Sequence, residues 1–430
     1  MANTSMETGR AEALLRYIDE SPTPYHAVRS VAARLEAAGF IRLRLDERWE
    51  PGVSRAYLPL GHGAIVALDA GPGGLAAFRD GLVVLAAHTD SPALRVREQA
   101  VSWRKGCLCL PTEIYGGPIR STWLDRELGV AGRVSTRDRA VHIVRLEQPA
   151  IIPNVAIHLN RKVNEGFEYN PHDHLVALIA ADASAQDAKG LDVLRELVAR
   201  AAGVEPSAVV ELELLLHDAD DGRFVGHDRS LYAASRIDNL AGCFTNLEAF
   251  LAPESSRPRM LVLYNHEEVG SVSGEGAQSG VVEAVLRRLG SLTGGDAQDL
   301  DVALARSTVV SNDAAHAMHP AFAGKYDPDY AAMLGGGPAL KTSGLYRYAT
   351  TTDGAAAFAA ACERAGVPMQ RASNRSDMPS GSTVGPITWA RTGMRTIDVG
   401  IPILAMHSIR ECAGTKDVDL MIRALIAYLQ

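Results

Sequence analysis

The run Gly81-Leu-Val-Val-Leu-Ala-Ala87 carries no polar side chain, as a strand buried on both faces of a parallel sheet requires. Short apolar runs recur at Met260-Leu-Val-Leu-Tyr264, Ser307-Thr-Val-Val-Ser311 and Thr396-Ile-Asp-Val399. Segments with helical spacing alternate with them. Helices are predicted over 11–18, 26–38, 239–250, 281–289, 355–365 and 418–429, the last with Leu420, Ile422, Leu425, Ile426 and Leu429 on one face. Between about 96 and 225 the texture changes. Alternating runs such as Val141-His-Ile-Val-Arg-Leu146 and Val209-Val-Glu-Leu-Glu-Leu-Leu-Leu216 predict strands, with one helix near 191–202. The pattern therefore predicts an α/β domain, a mixed sheet sandwiched by helices, built from 1–95 and 226–430. A mostly-β domain is expected to be inserted over 96–225.

Composition narrows the class. The chain has 430 residues, 47% hydrophobic and 22% charged, which describes a globular protein with ample core. A net charge of -8 argues against a nucleic-acid partner, because such binding rests on basic residues neutralising phosphates. The opening residues show no secretory pattern and no apolar run is long enough to span a membrane, so a cytoplasmic protein without a membrane partner is expected. Five scattered cysteines (Cys107, Cys109, Cys243, Cys362 and Cys412) suit reduced thiols. Cys107-Leu-Cys109 has no ligating cluster nearby and reads as strand.

Chemistry gathers where the apolar runs end. His88-Thr-Asp90 follows the first, and an imidazole two residues from a carboxylate suits a metal ligand backed by an orienting acid. Asn265-His-Glu-Glu268 follows the second, Asp313 the third, and His407 lies beyond the fourth. Asp238 precedes a predicted helix, where a plain N-cap is the competing reading. On an extended chain Glu267 and Glu268 would point to opposite sides, one to a metal and the other to the water it activates. The C-terminal ends of sheet strands are where open α/β folds bind ligands. Two histidines and three carboxylates there match a ligand set for two divalent ions, and oxygen and imidazole ligands without thiolate suit zinc, cobalt or manganese. Two such ions, the carboxylates of Asp238, Glu268 and Asp313, and one bridging hydroxide sum to a neutral core. His172 and His174 read as loop residues, and His217-Asp-Ala-Asp-Asp-Gly222 as a solvated acidic turn without calcium-loop spacing.

Ten motifs in order resemble the aspartyl aminopeptidase family of dinuclear zinc exopeptidases. They include Ser21-Pro-Thr-Pro-Tyr-His26, His88-Thr-Asp-Ser-Pro-Ala-Leu-Arg95, Arg236-Ile-Asp-Asn-Leu240, Glu267-Glu-Val-Gly-Ser271, Asp313-Ala-Ala-His-Ala-Met-His-Pro320 and Met406-His-Ser-Ile-Arg-Glu411. The resemblance makes Asp238 the bridging carboxylate, His88 and Asp313 the remainder of one site, and Glu268 and His407 that of the other. It makes Glu267 the general base and Asp90 the residue that orients His88. His158, His316, Lys341 and Tyr348 fall at substrate-binding positions, with His158 reaching a neighbouring subunit's site. The implied activity is removal of an N-terminal residue, favouring Asp or Glu, from peptides inside a tetrahedral homododecamer whose dimers form through the inserted domain. Gly335 and Ser343 depart from the asparagines usual in the family, which places strict acidic preference in question.

Overall fold

In the computed structural model, which describes residues 2–185, 189–253 and 257–430, all six residues of the strand Val83–His88 are buried. It lies inside a nine-stranded sheet, between the parallel strands Arg259–Tyr264 and Thr308–Asn312, and the latter pairs in parallel with Arg395–Gly400. Antiparallel pairings flank these four central strands, through Ala64–Asp69 on one side and Ala339–Lys341 on the other.

Period-two alternation splits the strands between two cores. Val83, Leu85, Ala87, Leu261 and Leu263 pack with Phe244, Leu247, Met421 and Leu425 on one face. Val84, Ala86, Met260 and Val262 pack with Val285, Leu286, Leu289 and Val384 on the other. Helices Ala2–Asp19, Pro24–Ala37, Ile237–Leu251, Thr352–Ala365 and Thr415–Leu429 contribute to the first layer; Val281–Leu292, Ala297–Arg306 and Val384–Thr392 contribute to the second. The expected mixed sheet between helices is the observed architecture. Three helices were absent from the sequence reading, one of them the short Pro171–His174, whose histidines were read as loop. Ala297–Arg306 begins at Asp296, read as loop, whose carboxylate forms a reciprocal capping box with Asp299. Val384–Thr392 follows a proline and glycine-rich stretch and is capped by Thr383.

The chain divides into two units. One holds Met1–Asp90, Gly222–Met406 and Glu411–Gln430; the other holds Ser91–Asp221 and His407–Arg410. The second begins at Ser91 because the strand Ala93–Val96 pairs antiparallel with Cys107–Tyr115 and Val209–Asp218. In its antiparallel sheet, Ala150–Ile151 pairs with both Val176–Ala181 and Glu127–Thr136, which closes a ring. The helix Gly190–Ala202 buries Leu194, Val198 and Ala199 against it. The acidic turn is not simply solvated. Asp218 is 3% exposed, and its carboxylate accepts from Arg126 at 2.7 Å and Arg410 at 2.9 Å. His172 and His174 lie exposed on a short helix, Pro171–His174. Among the described residues no helix is long and apolar enough to cross a membrane, and the five cysteines are free.

One buried acid anchors the loop that precedes Ala339–Lys341. The Asp417 carboxylate accepts from the Gly335 N–H at 2.7 Å and the Gly337 N–H at 2.8 Å. Both glycines have positive φ, +74° and +85°, which glycine adopts without steric cost and asparagine tolerates. Burial pushes Asp417 up to about 7, against the opposing pull of those two N–H groups. A carboxyl raised in the folded state binds its proton more tightly there than in the unfolded chain. Its contribution to stability is therefore lost as pH rises from the ordinary carboxylate value to about 7. Asp417→Asn removes that dependence, so the variant should gain stability relative to wild type between pH 4 and 7, by about 4 kcal/mol at most. Urea unfolding at a series of pH values reads it, and a flat difference would contradict it.

Candidate metal centre

Three of the four central strands lead into site residues at their C-terminal ends. His88 is the last residue of Val83–His88, and Asp313 directly follows Thr308–Asn312, its N–H donating to the Val399 carbonyl at 2.8 Å. After Arg259–Tyr264 the chain turns through His266 at φ +63° and Gly270 at +96°. Glu267–Val269 forms a short 3-10 turn. The glutamates are therefore about 120° apart on a helical turn, not on opposite sides of an extended strand. Glu275 holds this loop, accepting from the Asn265 amide at 2.7 Å and the Gly63 N–H at 3.1 Å.

Asp238 stands at the start of Ile237–Leu251 with φ -79° and ψ 106°, and no side-chain capping bond forms at this terminus. Its N–H donates to Glu411 Oε2 at 2.9 Å. The helix start is drawn tightly to the sheet. A Cβ on Gly242 would lie 2.5 Å from the Asn312 carbonyl oxygen. Asn239 donates to that same oxygen at 2.9 Å. The Asn312 amide donates to Thr245 Oγ1 and Asn246 Oδ1, and Asn246 donates to the Ala86 carbonyl. A buried amide network of this kind fixes helix and strands in one register.

The ligand atoms converge. His88, Asp238 and Asp313 form one group whose donor atoms lie within 4.8 Å of one another, and His88, Glu267 and Glu268 form another. His88 Nδ1 lies 2.9 Å from the Asp90 carbonyl oxygen, which can only accept, so Nδ1 carries the hydrogen. In the neutral ring Nε2 is then bare, the form that ligates metal. Yet Nε2 faces Asp238 Oδ1 and Asp313 Oδ1, each at 3.4 Å. Three acceptors facing one another need positive charge among them, which a proton on the ring or a bound ion supplies. Donors bound at 2.0–2.1 Å to a tetrahedral ion sit about 3.4 Å apart, whereas a direct charged hydrogen bond is about 2.7–2.9 Å. The donor set fits a zinc-type ion.

Without an ion, a proton on His88 meets that need. Burial alone would push the His88 imidazole down, but Asp238, Asp313 and Asp90 hold it well above its ordinary value. Burial pushes Glu267 up to about 8, opposed by His88 and reinforced by Asp313, Asp90 and Asp238. It pushes Glu268 well up too, with Asp238 the next cause. Asp313 moves the other way: burial would raise it, but Lys341 and His88 hold it below the usual carboxylate range. Positive charge stabilises one carboxylate here while the others crowd one another.

The remaining residues divide. Asp90 is wholly buried and holds His88 through its backbone oxygen, its carboxylate Oδ1 lying 3.5 Å from Nδ1. That carboxylate accepts instead from the N–H groups of Glu267 and Glu268, each at 3.1 Å. One aspartate thus positions the histidine and both glutamates, which exceeds the role expected of it. Lys341 is 3% exposed, with Nζ 3.4 Å from Asp313 Oδ2 and 5.1 Å from the centroid of the buried Tyr348 ring. His316 is exposed on the short strand Ala315–His316. His158 lies in an exposed turn of the second unit. His407 also packs within the second unit, its Nδ1 3.1 Å from the Gly117 carbonyl oxygen. Ser343 accepts from the Leu345 N–H. Asp398 was not singled out from sequence, although an acid inside an apolar strand was the signal. It is fully buried and accepts from the Ala349 N–H and the Thr383 hydroxyl, which fixes the segment next to Tyr348.

Known proteins resemble this chain over nearly its whole length. The family profile for aminopeptidase I zinc metalloproteases (M18) matches residues 17–429. A probable M18 family aminopeptidase 2 of Pseudomonas entomophila is 40% identical over 421 residues, covering 96% of each chain. Among solved structures, a chain in the cryo-EM structure of the Ape4 and Nbr1 complex superposes with a TM-score of 0.92 at 33% identity, covering 100% of this chain and 86% of that one. The S. cerevisiae mApe1 dodecamer superposes with a TM-score of 0.82 at 24% identity, covering 97% of this chain and 95% of that one, a likeness of fold.

Proposed function

The chain belongs to the M18 family of aminopeptidase I zinc metalloproteases, and from that premise we propose that it removes the N-terminal residue of peptides at a centre of two divalent ions held by His88, Asp238, Glu268, Asp313 and His407. The observation that carries this reading is the close facing of His88 Nε2, Asp238 Oδ1 and Asp313 Oδ1, at separations that suit donors shared by one tetrahedral ion. By the family resemblance Asp238 would bridge the two sites. Ions bound there, zinc by family, would supply polarisation of the scissile carbonyl and acidification of water.

The protein's own groups do the remainder. Glu267 takes a proton from the attacking water and returns it to the leaving amine. Asp90 holds Glu267 in place through the backbone. The substrate's α-amine is recognised by the carboxylates of the centre, which restricts cleavage to free N-termini. Lys341, beside Tyr348, supplies positive charge for an acidic first side chain. Gly335 does not weaken this reading, because its left-handed backbone and bond to Asp417 suit Gly and Asn alike. By analogy with the relative solved as a dodecamer, the chain self-associates, with the second unit and His158 at the contact between copies.

A kinetic profile over N-terminal residues tests the specificity. Asp and Glu substrates should exceed neutral ones in kcat/KM by tenfold or more, about 1.4 kcal/mol, and N-acetylated peptides should resist cleavage. Equal rates for leucyl and aspartyl substrates would remove the acidic preference while leaving the aminopeptidase intact. Cleavage of N-acetylated substrates would point instead to a deacylase.

A further inference from the structure

Asp313 divides its two carboxylate oxygens between different partners. Oδ1 faces His88 Nε2 at 3.4 Å, and Oδ2 faces Lys341 Nζ at 3.4 Å. Lys341 also donates to the Ala314 carbonyl at 3.2 Å, so the ammonium straddles the carboxylate and the next peptide group. A lysine that is 3% exposed has given up most of its hydration, and such a cation persists only where an anion and acceptors replace the water. Strand pairing fixes where it stands: Lys341 ends Ala339–Lys341, in register with Asp398 of Arg395–Gly400. The neighbouring strand Thr308–Asn312 delivers Asp313 alongside.

We infer that Lys341 is a positioning residue for the metal centre, holding Asp313 Oδ2 so that Asp313 ligates through Oδ1 alone. This rests on the proposed centre and goes beyond a role in reading the substrate's side chain. An unrestrained carboxylate can close on an ion with both oxygens. A lysine on Oδ2 prevents that and keeps a coordination position open, which separates catalytic from structural sites. The compact ammonium suits the task, and with three N–H donors it can hold Asp313 and Ala314 and still offer one to substrate.

Cobalt substitution provides a test that does not depend on turnover. The full-length protein, stripped with chelator and reloaded with Co2+, is compared with Lys341→Met and Lys341→Gln by cobalt uptake and visible absorption. Uptake should persist in both variants, while the visible bands fall about twofold or more as coordination number rises at the Asp313 site. Lys341→Arg, which keeps the cation, should restore the wild-type bands. The glutamine variant carries the test if the methionine variant does not fold. Unchanged bands in the variants, with only KM for acidic substrates raised, would overturn the inference and leave Lys341 to the substrate pocket. A wild-type protein that takes up no cobalt would sink the metal centre itself, and this inference with it.

Discussion

Replacing Glu267 by glutamine should lower kcat by about 10²–10⁴ while leaving metal content and fold unchanged. Glutamine is nearly isosteric, and the bond that anchors this position, from the residue 267 N–H to Asp90, belongs to the backbone and survives the change. Only the proton acceptor is lost. Burial first, then the crowding carboxylates, push Glu267 up to about 8 in the protein alone. Cations placed among those carboxylates favour the ionised form and bring the group down into the working range of a general base. The loss should therefore appear in kcat at every pH between 6 and 9, with KM little altered. Full activity in a variant that keeps its metal would exclude Glu267 as the base.

Removing Asp238 should be more damaging, and its effects on activity and stability should have opposite signs. Asp238→Ala takes away the carboxylate assigned to both ions, along with the several kcal/mol that metal binding supplies to the reaction, so activity should fall by about 10³-fold or more. The metal-free variant should nevertheless melt higher than the metal-free wild type. Asp238 faces His88 and raises the energy of ionising Glu267 and Glu268, so its removal relieves a cluster of like charges. Wild type should gain Tm on adding zinc, since a ligand that binds only the folded state stabilises it, and the variant should gain much less. A variant that melts lower without metal, yet keeps the zinc-dependent gain, would place Asp238 in the fold and not in the centre.

Much of this was legible in the chain. Apolar runs ending in His88, Glu267-Glu268 and Asp313 set out the sheet edge, because a strand buried on both faces must be apolar until it reaches solvent or a ligand. Helical periodicity placed Ile237–Leu251 and Thr415–Leu429 within a few residues of their observed bounds. Three things lay beyond it. The turn at Glu267–Val269 depends on His266 adopting a left-handed backbone, which no periodicity encodes. The bonds from Asp90 to the two glutamate N–H groups join segments 177 and 178 residues apart, a separation that local pattern cannot reach. The pairing of Lys341 with Asp313 follows from strand order, since the fourth parallel strand must lie between them for the register to bring both to one edge. Asn312 and Asn246 were passed over because buried amides look ordinary until the sheet shows what they join.

Metal analysis of the full-length protein decides whether the centre exists. Chelator-stripped protein should be inactive and should regain activity as zinc is added, saturating at two ions per chain, with Asp313→Asn failing to reach that stoichiometry. Saturation at no bound ion, or full activity in the stripped protein, would mean that the facing of His88, Asp238 and Asp313 serves something other than metal-dependent peptide hydrolysis.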